Sequence, residues 1–489
     1  MRTRALYLLI ALLVLGPKAK ANGNGTQPPV LPVLRVTMQG TFTADMEYVN
    51  GQMQLTDAEG RVVTLPAKLK TRGATASEYL MKPSFNMKLR TADYAVEQDT
   101  ALLGMRSCSS WIADAMAIDR ICMRNRVAFD IWNEYSRLPY ETQFAGRNGT
   151  EGRFVEVYIN DVYYGIYCLT DRINRKLLDL KKTKVNSDGT ETVRGVLYKW
   201  GTDKILRQEE RCFNEDSSAC VVEWHNAWEL SYPEDNGGME AWSPLLDMFD
   251  NGQSAAYVKQ YFVLQNIADY QLLVMALSIG DNWGNKNRFF SIRNITHDIH
   301  DRDLNEAMKR RVIMTPWDLD TSLGGSYNGS CYGGNYSEWP VGATMNNAPY
   351  PTSALVYDEA YLTMLRNRWL ALRGNVFSPD SINAKMERYR DLFVQSGAWD
   401  RMVSHFEATK GRKPKYVTDL AAEIALIEEW YRGRYAEMDA FFEVGAGMEQ
   451  VREAAADQTL YDLLGRKIGT EAPAPGVYIR GGKVTVITR

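Results

Sequence analysis

Excess charge of either sign is missing from this chain. Lysine and arginine number 57, aspartate and glutamate 60, and the net charge is -3 across 489 residues. That balance removes the usual electrostatic argument for nucleic acid or an anionic membrane surface, while leaving room for a local basic pocket that holds a phosphate ligand. Cysteine is scarce. The six (Cys108, Cys122, Cys168, Cys212, Cys220 and Cys331) include no C-x-x-C pair, so a zinc ribbon or a thioredoxin-type site has little support. Long apolar runs are also lacking. After the N-terminus the nearest approach to one is Ile267 to Ile279, and Asp269 and Gln271 interrupt it. No transmembrane segment is expected in the mature chain.

The N-terminus has the grammar of a processing signal. Arg2 and Arg4 form a basic region, Leu6 to Leu15 an apolar one, and Ala19-Lys20-Ala21 offers the small residues a signal peptidase reads. Residues 1–21 are therefore read as a signal peptide, and the protein as secreted: periplasmic, cell-surface or extracellular. No cysteine follows the apolar region, which argues against a bacterial lipid anchor. In that context the even cysteine count permits pairing, and Cys212 and Cys220, flanking a polar loop, are the best local candidates for a bridge. Disulfides and buried free thiols stay open for the other four.

What remains is an ordinary globular composition, 45 % apolar and 24 % charged, in a chain long enough for more than one lobe. Residues 22–30 read as a linker. From Leu31 to Arg90 the signals are strand-like, with turns expected at Asn50-Gly51 and Glu59-Gly60. Phe85, Met87 and Leu89 alternate with Asn86 and Lys88. A helix fits Arg120 to Tyr135. A hairpin fits Phe154 to Thr170, turning at Asn160-Asp161. Ala255 to Ile279 reads as one long, buried helix. A strand pair follows at Arg288 to Arg293 and Arg311 to Thr315. From Tyr357 to Phe442 the pattern is mostly helical, with a break at Ser378-Pro379. The order predicts an α+β fold with a mostly-β N-lobe (about 31–170) and a mostly-α C-lobe (about 171–447). Residues 448–489 stand apart as a small β tail, similar to the sorting tails of type IX-secreted proteins; a purely structural tail is the equal alternative.

Three constellations carry chemistry. The first, Gly280-Asp281-Asn282-Trp283-Gly284-Asn285-Lys286-Asn287, follows the buried helix. An aspartate with an asparagine a few residues later suits phosphoryl transfer: the carboxylate orients or deprotonates a hydroxyl, and the amide oxygen helps to hold a metal. In the second, Pro316-Trp317-Asp318-Leu319-Asp320, two aspartates at i and i+2 on an extended segment would point the same way and could bind Mg²⁺ carrying ATP phosphates. The third is basic: Arg72-Gly73-Ala74-Thr75, then Lys82 and Lys88 about a strand. Such cations and such a loop can reach phosphates. Each also has a plainer reading, as solvated turns, Asx caps, calcium ligands or ordinary surface cations. His297-Asp298-Ile299-His300-Asp301 has metal-ligand residue types, but a polar loop explains it better. Tyr327 to Tyr336 suits a flexible surface loop or an acceptor platform.

Taken in order, these motifs resemble the CotH family of secreted and spore-coat kinases. The resemblance adds Arg124-Asn125 on a helix and the hairpin Asn160-Asp161-Val162-Tyr163-Tyr164-Gly165-Ile166-Tyr167. It adds Arg366 to Trp369 and Trp430 to Phe441, and it spans about Leu31 to Phe442. It implies an atypical bilobal protein-kinase-like fold and ATP with Mg²⁺ or Mn²⁺ as cofactors. It also implies phosphoryl transfer to a protein hydroxyl, on another protein or on the chain itself. It would make Asp281 the catalytic residue, Asn287, Asp318 and Asp320 the metal ligands, and Arg72, Lys82 and Lys88 the phosphate ligands. Asp171 stands where a glutamate is common, so a nucleotide contact there would be made by a shorter side chain. Ala74 replaces a common asparagine. Two rivals stand beside this reading: a pseudokinase or surface adhesin that keeps the fold, and a calcium-stabilised structural protein.

Overall fold

Alternation of buried and half-buried side chains builds the first half of the molecule. In Phe85–Leu89 every second residue is buried, as a strand packed on one face requires. The structure, a computed structural model, describes residues 29–44, 46–73, 81–140, 142, 146–200, 228–234, 238–283, 287–326, 340–346, 348–409, 414–444, 460–461, 476–480 and 483–487. Its early strands are β1 (Val33–Met38), β2 (Val49–Thr56), β3 (Val62–Thr71), β4 (Phe85–Leu89), β5 (Thr100–Ala101), β6 (Ser107–Cys108), β7 (Ser110–Asp114), β8 (Gly152–Ile159) and β9 (Val162–Asp171). Seven of them close into a barrel in the order β1-β2-β3-β4-β7-β9-β8. Neighbours run antiparallel except β1 and β8, whose parallel pairing (Leu34 beside Val157) completes the ring. Closure leaves no unpaired sheet edge. Leu34, Met53, Leu69, Phe85, Met87, Trp111, Val157 and Tyr167 fill the interior.

The β8–β9 hairpin turns where expected: Asn160 and Asp161 have φ of 49° and 63°, the left-handed pair that a two-residue hairpin needs. Asn50-Gly51 does not turn. Both residues lie inside β2, and a Cβ on Gly51 would fall 2.6 Å from the Thr37 carbonyl oxygen. The glycine is there for close approach of backbones, not for a reversal. Helix α1 (Arg124–Tyr135) starts later than the predicted Arg120. Asp119 sets the start. Its carboxylate accepts the amide hydrogens of Ile121, Met123 and Arg124, at 3.2, 2.7 and 2.8 Å, and holds residues 120–123 in a turn.

Short strands β10 (Lys184–Val185) and β11 (Glu191–Thr192) lead into the second half. There a four-stranded antiparallel sheet runs in the order β13 (Trp228–Tyr232), β12 (Val196–Trp200), β14 (Arg288–Ile292), β15 (Val312–Pro316). The helices of this half are α2 (Gly238–Asn251), α3 (Ala255–Tyr261), α4 (Leu264–Leu277), α5 (Gly280–Trp283), α6 (Leu304–Met308), α7 (Val341–Asn346), α8 (Glu359–Leu372), α9 (Pro379–Gln395), α10 (Ala398–Ala408) and α11 (Leu420–Phe441). The single helix expected over Ala255 to Ile279 is two. Phe262 and Val263 are extended between them because they join the sheet: Phe262 bridges to Val312, and the Val263 N–H donates to the Val312 carbonyl at 3.2 Å. Helix α4 is buried on every side from Asn266 to Leu277. The expected break at Ser378-Pro379 is where helix α9 begins, with Ser378 capping it and Pro379 in its first turn.

The content is thus α+β, β-rich first and helix-rich later. The last strands, β16 (Leu460–Tyr461), β17 (Gly476–Arg480) and β18 (Lys483–Ile487), pair antiparallel as a three-stranded meander. Cys212, Cys220 and Cys331, the Ala74 loop and Tyr327 to Tyr336 lie outside the described residues.

Candidate active site

Strand β15 ends at Pro316, and the chain turns sharply. Trp317 stands edge-on to Phe289, ring centroids 5.7 Å apart, with the Arg72 guanidinium 5.0 Å over its face. Asp318 then takes φ 57°, a left-handed conformation rare for any residue but glycine, asparagine or aspartate. The expected extended segment carrying both aspartates is therefore corrected to a turn. Leu319 between them is buried, its N–H held by the Asn125 side-chain oxygen at 3.1 Å. Asp320 follows at the bend, half-buried like Asp318.

The Asp281 segment is laced to this turn. Ser278 ends α4 with φ 50°. The Asp281 N–H donates to the Thr321 hydroxyl at 3.1 Å. The Trp317 N–H donates to the Asn287 carbonyl at 2.9 Å, and the Leu323 N–H to the Leu277 carbonyl at 2.9 Å. Asn287, with φ 60°, is fixed from its other side by the Trp200 carbonyl at 3.0 Å. Two segments more than thirty residues apart thus converge, and Asp281, Asn287, Asp318 and Asp320 share one seam.

The barrel contributes a carboxylate that sequence reasoning missed. Asp114, at the end of β7, accepts from the Asn125 amide at 2.9 Å, the Met116 N–H at 3.2 Å and the Ser84 hydroxyl at 3.4 Å. It lines a narrow cleft with Arg72, Asn125, Thr170, Trp317 and Asp318. An acid closing the apolar strand Trp111-Ile112-Ala113 was the signal available. Asn125 binds Asp114 on one side and Leu319 on the other, so it joins barrel to turn. Arg124 beside it pairs with Asp119 at 2.5 Å.

The seam is electrostatically uneasy. Burial first, then the charges of Asp318, Asp114 and Asp281, pushes the Asp320 carboxyl well above the ordinary range. Asp318 is raised too, chiefly by burial. Arg72 opposes the rise, Asp114 and Asp281 add to it, and Lys199 opposes it from β12. Lys199 is a second contributor that the sequence did not single out.

Three other predicted residues lie elsewhere. Lys82 is fully enclosed, so its reading as a phosphate ligand gives way. Its amine bonds the Tyr416 hydroxyl at 2.8 Å beside the sulfurs of Met402 and Cys122, and burial pushes its pKa down. Lys88 lies beside Tyr48, 5.1 Å from the ring centroid. Asp171 is fully buried and committed to structure: it accepts from Arg106 at 2.5 Å, Arg147 at 2.8 Å and the Glu151 N–H at 2.7 Å. Those bonds replace the nucleotide contact its position suggested. Cys108, Cys122 and Cys168 are buried free thiols; burial pushes the first two up to about 12. His297 sits 3.2 Å from Glu306.

Two carboxylates whose ionised forms are opposed by burial and by neighbouring carboxylates fit a divalent cation, whose charge would relieve both. Among the described residues no three His, Cys, Asp or Glu side chains close into a metal cluster. Mg²⁺ does not require one, since it commonly takes one or two carboxylates together with substrate phosphates.

No helix among the described residues is long and apolar enough to cross a membrane. A search of curated proteins finds no match. The family model described as CotH kinase protein matches residues 69–438, from Leu69 in β3 to Met438 in α11. That span holds the whole seam and most of the 489 residues, and on it the chain belongs to the CotH kinase protein family.

Proposed function

We propose that the protein is an atypical protein kinase that transfers the γ-phosphoryl group of ATP to a protein hydroxyl. The observation that carries this reading is the convergence of Asp281, Asp318 and Asp320 from two chain segments onto one seam, with Arg72 reaching it from the barrel. The β-rich and helix-rich halves are read as the two lobes of a kinase-like molecule, with the nucleotide at their junction. The acceptor oxygen forms a bond to the γ-phosphorus, and the bond from that phosphorus to the β–γ bridging oxygen breaks. The hydroxyl proton passes to the Asp281 carboxylate, and ADP leaves. Asp318, Asp320 and Asn287 would hold Mg²⁺ or Mn²⁺, which when bound offsets phosphate charge. Arg72 is the cation best placed for a phosphate. Its planar fork suits phosphate oxygens, and its stacking on Trp317 fixes its approach.

We read residues 1–21 as a signal that sends the protein to the periplasm, the cell surface or the medium, and its acceptors as exported proteins or the chain itself. Sequencing the N-terminus of exported material tests that assignment; a start near Asn22 is expected, and an intact Met1 on soluble protein would refute it. The activity is tested by radiolabelled ATP transfer to the protein itself and to a mixture of secreted proteins, with calorimetric ATP binding alongside. Binding that requires Mg²⁺ or Mn²⁺, followed by labelling, supports the kinase. Binding without labelling supports a pseudokinase. A site that takes Ca²⁺ but no ATP supports the structural rival, and binding of neither supports an adhesin.

A further inference from the structure

Asn282, between Asp281 and Trp283 in the chain, makes three polar contacts with its side-chain nitrogen. It is fully buried. Its amide nitrogen lies 2.8 Å from the Asn287 carbonyl oxygen, 2.9 Å from the Trp317 carbonyl oxygen and 3.3 Å from the Tyr270 hydroxyl. A carboxamide nitrogen carries two hydrogens, and the two carbonyls, able only to accept, claim them. The orientation of the amide follows, because the reverse would set oxygen against oxygen.

The partners matter more than their number. Trp317 O belongs to the peptide that leads into Asp318, and Asn287 O already accepts the Trp317 N–H. Of the three residues read as metal ligands, Asn287 and Asp318 have backbones in the left-handed region, φ 60° and 57°. Such conformations persist only where the surroundings over-determine them. Asn282 supplies that constraint to both at once, and it is the chain neighbour of Asp281. One amide therefore ties the acid that faces the acceptor to the residues read as metal ligands.

We propose that Asn282 is a positioning residue: its two amide hydrogens hold Asp281, Asn287 and Asp318 in register, and the metal affinity of the carboxylates depends on them. This rests on the kinase reading of the seam. A residue that merely fills space would affect the melting temperature but not the metal affinity of folded protein.

Asn282→Asp and Asn282→Ala separate these roles. The aspartate keeps the shape and loses the donors; the alanine loses both. The probe is Mn²⁺ alone and with ATP, titrated into the full-length protein and followed by electron paramagnetic resonance. Melting temperature and phosphoryl transfer are measured on the same preparations. Both variants should bind Mn²⁺ about tenfold or more weakly, in line with other groups that orient metal ligands. Both should lower kcat while KM for the acceptor changes little, and hydrogen exchange over 312–323 should quicken. Wild-type Mn²⁺ affinity in both folded variants would overturn the positioning role and leave the site reading standing. A wild type that binds Mn²⁺ neither alone nor with ATP would overturn the reading itself, and this inference with it. Should Asn282→Ala fail to fold, Asn282→Asp carries the test; if neither folds, the residue serves the fold and the proposal falls.

Discussion

The barrel interior and the carboxylate seam are built on opposite terms. Inside the barrel the buried residues are apolar, from Leu34 and Met53 to Trp111 and Tyr167. Its left-handed pair, Asn160 and Asp161, sits at an exposed turn where such backbone is cheap. In the seam, Ser278, Asn287, Asp318 and Leu323 all have positive φ within one small region. There Asp318 and Asp320 are raised by burial and by neighbouring carboxylates. The barrel maximises consistency between local preference and burial; the seam violates it repeatedly. Natural sequences tolerate such conflict mainly where function needs it, which supports the proposal that the seam is the site.

The contrast can be broken first at the seam. Asp318→Asn should lower phosphoryl transfer by about 100-fold or more, since an anionic ligand to the transferring group is lost. The melting temperature should stay level or rise, because a charge opposed by burial and by Asp114 and Asp281 is removed. Asp281→Asn should abolish transfer and spare ATP binding. Steady-state labelling with calorimetry on each variant checks both; a seam substitution that unfolds the protein would erase the distinction drawn here.

A barrel substitution should do the reverse. Trp111→Ala empties a fully buried site and should cost about 3–5 kcal/mol of stability. The surviving folded fraction should bind ATP with unchanged affinity. Urea unfolding and binding on the same sample would show it.

Burial in the helical half sharpens the comparison through pH. Asp269 on α4 pairs with Arg368 at 2.7 Å, yet burial outweighs the pairing and pushes its carboxyl up to about 6. A raised carboxyl contributes stability that is complete below its ordinary range near 4 and is lost as pH rises through 6. The loss should be on the order of 2 kcal/mol. The wild type should therefore lose more stability between pH 4.5 and 7.5 than Asp269→Asn, as read from urea midpoints.

The smallest effects separate two cations that look alike in the sequence. Arg72→Ala, beside Asp318, should weaken ATP binding by about tenfold, the scale of one charge-assisted hydrogen bond. Lys88→Ala should change it less than about twofold, because its side chain lies beside Tyr48. Equal losses would restore Lys88 to the phosphate site.

Features written within a few residues of one another were readable beforehand. The alternation over Phe85–Leu89, the Asn160-Asp161 turn and the Ser378-Pro379 break each depend on local sterics and local hydrogen bonds. Gly51 misled because glycine answers to two needs, reversal and close approach, and only the neighbouring strand decides which. The break at Phe262 escaped because it is imposed by pairing with Val312, fifty residues on.

The sequence by itself determined the residue types available to the proposed site, the strand and helix periods, and the order of β-rich before helix-rich. These follow from side-chain identity and from spacing along one chain. Only the tertiary structure decided which charges meet. It enclosed Lys82 among sulfur and aromatic groups and locked Asp171 between Arg106 and Arg147. It brought Asp114 and Lys199 to the seam and set Asn282 between Asn287 and Trp317. A charge or an amide acts on whatever lies within a few ångströms, and distance in space is fixed by how the barrel, sheet and helices pack, not by position in the chain.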